Sequence, residues 1–599
     1  MTKNSIFKFI LIALFTAGCS QPKEKISPPM ENQATEKVVI YQLMTRLFTN
    51  TNSTNKPFGS IEENGSGKFN DINDQALQSL KALGITHVWY TGVLEHATMT
   101  DYSAYGISKD DPDVIKGRAG SPYAIKDYYD VDPDLAVDIK SRMQEFESLV
   151  DRTHKNGLKL IIDFIPNHVA RTYQSDAKPA EVRDLGEDDD KRVAFKATNN
   201  FYYLPGESFR VPEESQAMTK TLYPGKDGRF EEIPAKVTGN DQFTPSPGIN
   251  EWFETVKLNY GVDVQNGKTN HFDPIPNTWE KMRDILVFWA GKKVDGFRCD
   301  VAEMVPVEFW NWVIPQVKEI NPEMVFIAEI YNPAAYSNYI SSGRFDFLYE
   351  KVKLYDTLRL LIDKKRSTLD IDAIQQSLTG INRHMLHFLE NHDEQRLASP
   401  FFAGNPFRAL PAMTISATLD AGPVMIYFGQ EVGEPGKGAE GFSQEDGRTT
   451  IFDYWGVPEH QKWVNGGKFN DSLLSDGQKT LRNYYSTLLN LAKTNQAITA
   501  GAYADLTAFN VQKANFGEDV HAFVRYADNE KLLIINSFND VPTKVKIELP
   551  PAVLEALNIG TSDSIKFQDI LWGEQQLDIE AGAGELMLKP YSTFIFKIQ

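Results

Sequence analysis

Val294-Asp-Gly-Phe-Arg-Cys-Asp300 is the stretch on which the fold turns. It begins apolar and closes on an arginine and a carboxylate two positions apart. Side chains alternate along a strand, so Arg298 and Asp300 share one side and Cys299 faces the other, toward the helical layer. A guanidinium beside a carboxylate favours the ionised form and lowers its pKa, which suits a nucleophile better than an acid. Alone, such a pair reads as a buried structural ion pair. Three other strand ends change that reading. Met324-Val-Phe-Ile-Ala-Glu329 runs apolar into a carboxylate and continues as Ile330, Tyr331 and Asn332. Met385-Leu-His-Phe-Leu-Glu-Asn-His-Asp393 closes on Asn391, His392 and Asp393, and Leu158-Lys-Leu-Ile-Ile-Asp-Phe-Ile-Pro-Asn-His168 on Asn167 and His168.

Apolar strands separated by helical stretches, each with polar groups at its C-terminal end, describe a (β/α)8 TIM barrel of the α/β class. The active site of such a barrel lies on the C-terminal face. Carboxylates from separate strands then converge, and glycosidic bond cleavage needs such a pair.

Composition agrees with a soluble globular enzyme. Of the 599 residues, 41% are hydrophobic and 24% charged, ordinary values for a folded chain of barrel size plus further modules. The net charge of −19 excludes a nucleic-acid backbone as partner, which needs a basic face. A neutral polysaccharide makes no such demand.

Four segments carry a family resemblance: Asp163-Phe-Ile-Pro-Asn-His168, Gly296-Phe-Arg-Cys-Asp300, Ala328-Glu-Ile-Tyr331 and Glu390-Asn-His-Asp393. Leu83-Gly-Ile-Thr-His-Val-Trp89 and Ala421-Gly-Pro-Val-Met-Ile-Tyr-Phe-Gly429 add to them. In this order the chain resembles glycoside hydrolase family 13, the α-amylase family, from about Val38 onward. Asp300-Val-Ala302 and Lys257-Leu-Asn259 are similar to the neopullulanase and cyclomaltodextrinase side of that family, although Val256 stands where a proline is usual.

Placement of charge gives the roles. Asp300, held ionised by Arg298, is the expected nucleophile. Glu329, on an otherwise apolar strand, is the expected acid/base, because burial raises a carboxyl pKa. Asp393 is expected to grip sugar hydroxyls as the ring distorts. The resemblance further implies a retaining outcome, His168 and His392 as donors to the sugar beside the nucleophile, and Tyr123 as a stacking ring. It makes Asn167 a candidate calcium ligand, and calcium needs several oxygens. Glu303 and Met304 stand where the family often has Lys-His, which weighs against calcium. The expected activity is endo-cleavage of α-1,4-glucosidic bonds in starch-like polysaccharides or maltooligosaccharides, with pullulan or cyclodextrins as further substrates. A transglycosylase on the same fold and a non-catalytic surface glucan-binding protein are the competing readings.

At the N-terminus, Lys3 and Lys8 precede an apolar run, Phe9-Ile-Leu-Ile-Ala-Leu-Phe15, too short to span a bilayer. Thr16-Ala-Gly-Cys19 follows, and the whole resembles a bacterial lipoprotein signal. That implies cleavage before Cys19, lipidation of its sulfur and anchoring to the bacterial outer membrane after export. The usual leucine is replaced by Thr16. Only two cysteines exist; with Cys19 acylated, Cys299 is alone and packs in the core.

The expected organisation is a signal over residues 1–19 and a tether over 20–36. A barrel follows in two pieces, 37–169 and 272–498. A domain inserted after the third strand occupies 170–271, because a structureless loop that long is implausible in a compact domain. A C-terminal antiparallel β-sandwich takes 499–599, with Val545, Ile547 and Leu549 inward by period-2 alternation. Covering the barrel is its expected role, ahead of glucan binding.

Overall fold

The computed structural model describes residues 36–213, 225–442, 445–513, 515–573 and 575–598. Residues 1–35, with Cys19 and nearly all of the tether, lie outside the described residues. Among the described residues no helix is long and apolar enough to cross a membrane.

Eight parallel strands form the barrel. They are β1 (Val39–Met44), β2 (His87–Thr91), β3 (Lys159–Phe164), β4 (Gly296–Cys299), β5 (Val325–Ala328), β6 (Phe347–Tyr349), β7 (Met385–Leu386) and β8 (Val424–Tyr427). Each is hydrogen-bonded to the next, and β8 returns to β1 with Val39 opposite Val424. The ring closes through one residue of the seventh segment. His387 bridges Val424, its N–H donating to Pro423 O (2.9 Å) and its carbonyl accepting from Met425 N (2.8 Å). β7 is far shorter than the expected run to Asp393. The Asn391 side chain accepts from the backbone N–H of Asp393 (2.8 Å) and Glu394 (2.9 Å), and this Asx turn takes the backbone out of the ladder at the site.

The helices arise from ordinary local signals. Asp74–Leu83 opens on Asn73, whose side chain caps Ala76 N, buries Leu77, Leu80 and Leu83, and stops at Gly84 in the left-handed region. Asn277–Gly291, Val307–Lys318 and Asp476–Thr494 each bury an apolar face, Leu286 and Trp289, Phe309 and Val313, and Leu481 and Leu488 among the buried residues. One glycine is required by close approach: a Cβ at Gly296 would lie 2.7 Å from the Val325 carbonyl, so β4 and β5 could not pair as they do.

The loop after β2 contains an antiparallel pair, Leu94–His96 with Ile125–Val131. Among the described residues of the inserted segment the extended structure is a few short pairs, His168–Ala170 with Thr255–Lys257 and Tyr203–Leu204 with Ala235–Lys236 among them. Phe209, Val211 and Ala235 of this segment pack on Val114.

The C-terminal strands, Ala502–Asp505 through Thr593–Ile598, form one continuous eight-stranded antiparallel sheet. The sheet folds over its own core of Val524, Leu533, Ile535, Val545, Ile547, Leu577, Leu586 and Phe596. Alternate residues on the same strands, Phe523, Leu532, Ile534 and Ile595, belong instead to the barrel's core. The fully buried Leu410–Thr418 helix packs against both. The last two strands, Ala583–Leu588 and Thr593–Ile598, are divided at Lys589-Pro590, where proline withholds an N–H and Tyr591 turns to φ +49°.

Candidate active site

Arg298 organises the C-terminal mouth of the barrel. It is fully buried on β4, and its guanidinium touches three carboxylates. Nη1 lies 2.8 Å from Asp300 Oδ1 and 3.4 Å from Asp163 Oδ1, while Nη2 lies 2.7 Å from Glu329 Oε2. Nε donates to Tyr349 Oη at 3.2 Å, and the rings of Trp89, Tyr123 and Tyr349 surround the cation at 5.3–5.5 Å. Asp300 and Glu329 thus hold the two ends of one guanidinium. They can be no farther apart than that group and two hydrogen bonds span.

Sharing changes the electrostatics expected for Asp300. Burial pushes its pKa up, and the attraction of Arg298 does not fully offset it because Asp163 repels from the same cation. The expected lowering is therefore reversed in direction. Glu329 is also pushed up, first by burial, with Arg298 opposing and Asp300 and Asp393 adding to it. Its Oε2 accepts from Val301 N at 2.7 Å as well as from Arg298, and its Oε1 accepts from Tyr331 Oη at 2.6 Å. Val301 adopts φ +35°, a genuine outlier for a β-branched residue. That conformation aims its N–H at the carboxylate.

Asp393 is the most exposed of the three expected catalytic carboxylates. Its Oδ2 lies 3.1 Å from His392 Nε2, and its side chain is 42% exposed against 10% for Asp300 and 5% for Glu329. Burial would raise its pKa, but His392 and then Arg298 outweigh that and hold it at about 2. Asp393 therefore stays ionised. His392 Nδ1 meets Gln42 Nε2 at 2.8 Å and its Nε2 meets Tyr123 Oη at 2.6 Å, with the two rings stacked at 25°. Asp163 accepts from Trp89 Nε1 at 2.9 Å. His168 Nε2 stands 4.0 Å from Asp300 Oδ2, and burial drops its pKa to about 3, so it is neutral. The structure thus brings Asp300, Glu329, Asp393, Arg298, Tyr123, His168 and His392 to one barrel end.

Asn167 does not fit the calcium expected from the resemblance. Its Oδ1 accepts from Lys257 Nζ at 2.5 Å, and the same ammonium reaches Asp241 Oδ1 at 2.9 Å and Met304 O at 3.5 Å. Its Nδ2 donates to Gly239 O. A built-in cation ties together the barrel, the inserted segment and the turn after β4. Calcium needs six to eight oxygens, and here an ammonium takes up the oxygens that converge. Among the described residues no cluster of acidic, histidine or cysteine side chains could hold a metal.

Residues 42–452 match the α-amylase catalytic-domain model. The chain belongs to the α-amylase family, glycoside hydrolase family 13. Among its relatives, α-amylase 3 of Dictyoglomus thermophilum is 22% identical, with 100% of this chain and 98% of the relative covered. Neopullulanase 2 of Thermoactinomyces vulgaris is 21% identical over 94% and 77%. A maltogenic α-amylase structure from Thermotoga neapolitana superposes with TM-score 0.59 at 18% identity, covering 94% of this chain and 99% of that one. The α-amylase-family barrel explains why carboxylates distant in sequence share one guanidinium, and the chain is a glycosidase.

Several residues of this α-amylase-family site escape a reading of motifs. Gln42 and Tyr349 reach His392 and Arg298 from β1 and β6. Gln42 left a signal, a polar residue inside the apolar run Val39–Met44. Lys257 was visible in the Lys257-Leu-Asn259 motif, but nothing in the sequence says that its ammonium meets Asn167. Trp252, tilted against His168 at 5.1 Å between centroids, comes from a stretch without periodicity.

Proposed function

We propose that the chain is a retaining, endo-acting α-glucan hydrolase that cleaves α-1,4 links in starch-like polysaccharides or maltooligosaccharides, with pullulan or cyclodextrins as further substrates. The observation that carries this reading is the single guanidinium bridging Asp300 and Glu329. Two carboxylates so placed suit double displacement, for which a separation of roughly 5–5.5 Å is usual. In the first step an Asp300 oxygen bonds to the anomeric carbon. The glycosidic C–O bond breaks, and the leaving oxygen takes the proton of Glu329. In the second, Glu329 takes a proton from water, the water oxygen bonds to the anomeric carbon, and Asp300 departs. Asp393, ionised and partly exposed, is placed to accept from sugar hydroxyls, with His168 and His392 as donors beside the nucleophile. The named relatives, an α-amylase and a neopullulanase, support an α-glucan substrate.

The test is digestion of amylose, pullulan and cyclodextrin side by side, with products resolved by chromatography. Hydrolysis of amylose to mixed short oligosaccharides is expected. Asp300→Asn and Glu329→Gln should each lose turnover by about 10³-fold or more with an unchanged circular dichroism spectrum. Wild-type-like rates in either variant would refute the assignment, and products longer than the supplied chain would favour transfer over hydrolysis.

A further inference from the structure

The acid/base carboxylate has an asymmetric environment. Glu329 Oε2 is committed to two donors in the protein, Arg298 Nη2 and Val301 N, both at 2.7 Å. Glu329 Oε1 has one donor, the Tyr331 hydroxyl at 2.6 Å. A carboxyl proton must therefore reside on Oε1, the oxygen that carries Tyr331. The tyrosine is fixed in turn from its backbone. Glu303, which stands where the family often has lysine, accepts from Tyr331 N at 3.1 Å and from Asn332 N at 3.2 Å. Its carboxylate clamps the turn after β5, so that the half-buried phenol lies over Glu329.

Resting on the hydrolase reading above, we propose that Tyr331 is a positioning residue for the acid/base. Its hydroxyl holds Glu329 Oε1 in place in the free enzyme and yields that place to the glycosidic oxygen when substrate enters. The exchange keeps Oε1 hydrogen-bonded: it loses the phenol as donor and, once protonated, donates to the leaving oxygen. When water attacks in the second step, its proton returns to Oε1 and the phenol can close again. The arrangement also tunes the acid. Tyr331 donates to the ionised form and so favours it. Its own pKa is pushed far up by burial and by Glu329, so it remains a donor at every working pH. The other charged or titratable groups facing the pair are Arg298, which also favours the anion, and Asp300, Asp393 and Asp163, which oppose it; Tyr349 lies alongside.

The experiment is the pH dependence of kcat/KM on an unactivated maltooligosaccharide for wild type, Tyr331→Phe and a protein carrying 3-fluorotyrosine at position 331. The alkaline limb reports loss of the Glu329 proton. Deleting a hydrogen bond to the charged form should move that limb up by about one pH unit. The fluorinated phenol, a stronger donor, should move it down. An aryl maltoside with a good leaving group, which needs little protonation, should show a smaller change. A limb that stays put in both proteins while wild type turns over would overturn the role of Tyr331 and leave the hydrolase reading intact. A wild type inert on every α-glucan would overturn both.

Discussion

Replacing Arg298 by leucine tests the electrostatic account of this site most severely. The guanidinium is fully buried and lies 2.7 Å from Glu329, 2.8 Å from Asp300 and 3.4 Å from Asp163. Removing one member of a buried ion pair costs about 3–5 kcal/mol, because a charge is left without compensation. Three carboxylates lose their partner here, but each can take up a proton, which caps the loss at about 5 kcal/mol near neutral pH. The pH dependence is the sharper consequence. Burial already raises the pKa of Asp163, Asp300 and Glu329, and losing the cation raises them further. Groups with a higher pKa in the folded state make that state bind more protons than the unfolded one, so stability falls as pH rises. One extra bound proton is worth about 1.4 kcal/mol per pH unit. The gap to wild type should therefore narrow by about 2–3 kcal/mol between about pH 7 and about pH 5. Urea unfolding followed by tryptophan fluorescence at both pH values measures it. A gap below about 1 kcal/mol, the range of an exposed ion pair, or one independent of pH, would refute the reasoning.

Lys257→Met removes the ammonium that holds Asn167 and Asp241 together and should cost about 2 kcal/mol, the range for a hydrogen bond to a charged group, seen as a lower melting temperature. Wild type treated with a chelator should keep its melting temperature and its rate, and a chelator-induced drop reversed by calcium would show that the ammonium does not fill that role. Cys19→Ser should abolish incorporation of labelled fatty acid and release the protein from the membrane fraction; a variant still sedimenting with membranes would contradict anchoring through that sulfur.

The barrel was readable from its sequence because each strand is an apolar run that stops at a polar residue. Residues such as Asp300, Glu329 and His168 advertise the C-terminal mouth by their position in those runs. Strand limits were less readable where side chains compete for the backbone, as the Asn391 turn does with the end of β7. The direction of the Asp300 shift was hidden for a different reason. Adjacency of Arg298 and Asp300 is visible along one strand, but the competition of Asp163 and Glu329 for the same cation is set by register between strands. In the inserted segment contacts replace periodicity. Lys257 and Trp252 acquire their meaning only when that segment closes on the barrel.

Three strands of the C-terminal sheet, Val520–Tyr526, Lys531–Ser537 and Thr593–Ile598, are apolar on both faces, one face turned to the sheet's own interior and the other spent on the barrel through Phe523, Leu532, Ile534 and Ile595. A stop codon just beyond Ala500 would spare every residue gathered at the barrel's mouth and still leave an oily flank open to water. Such a shortened product would be lost to aggregation before its chemistry could matter. The last hundred residues are thus answerable for whether there is an enzyme to assay.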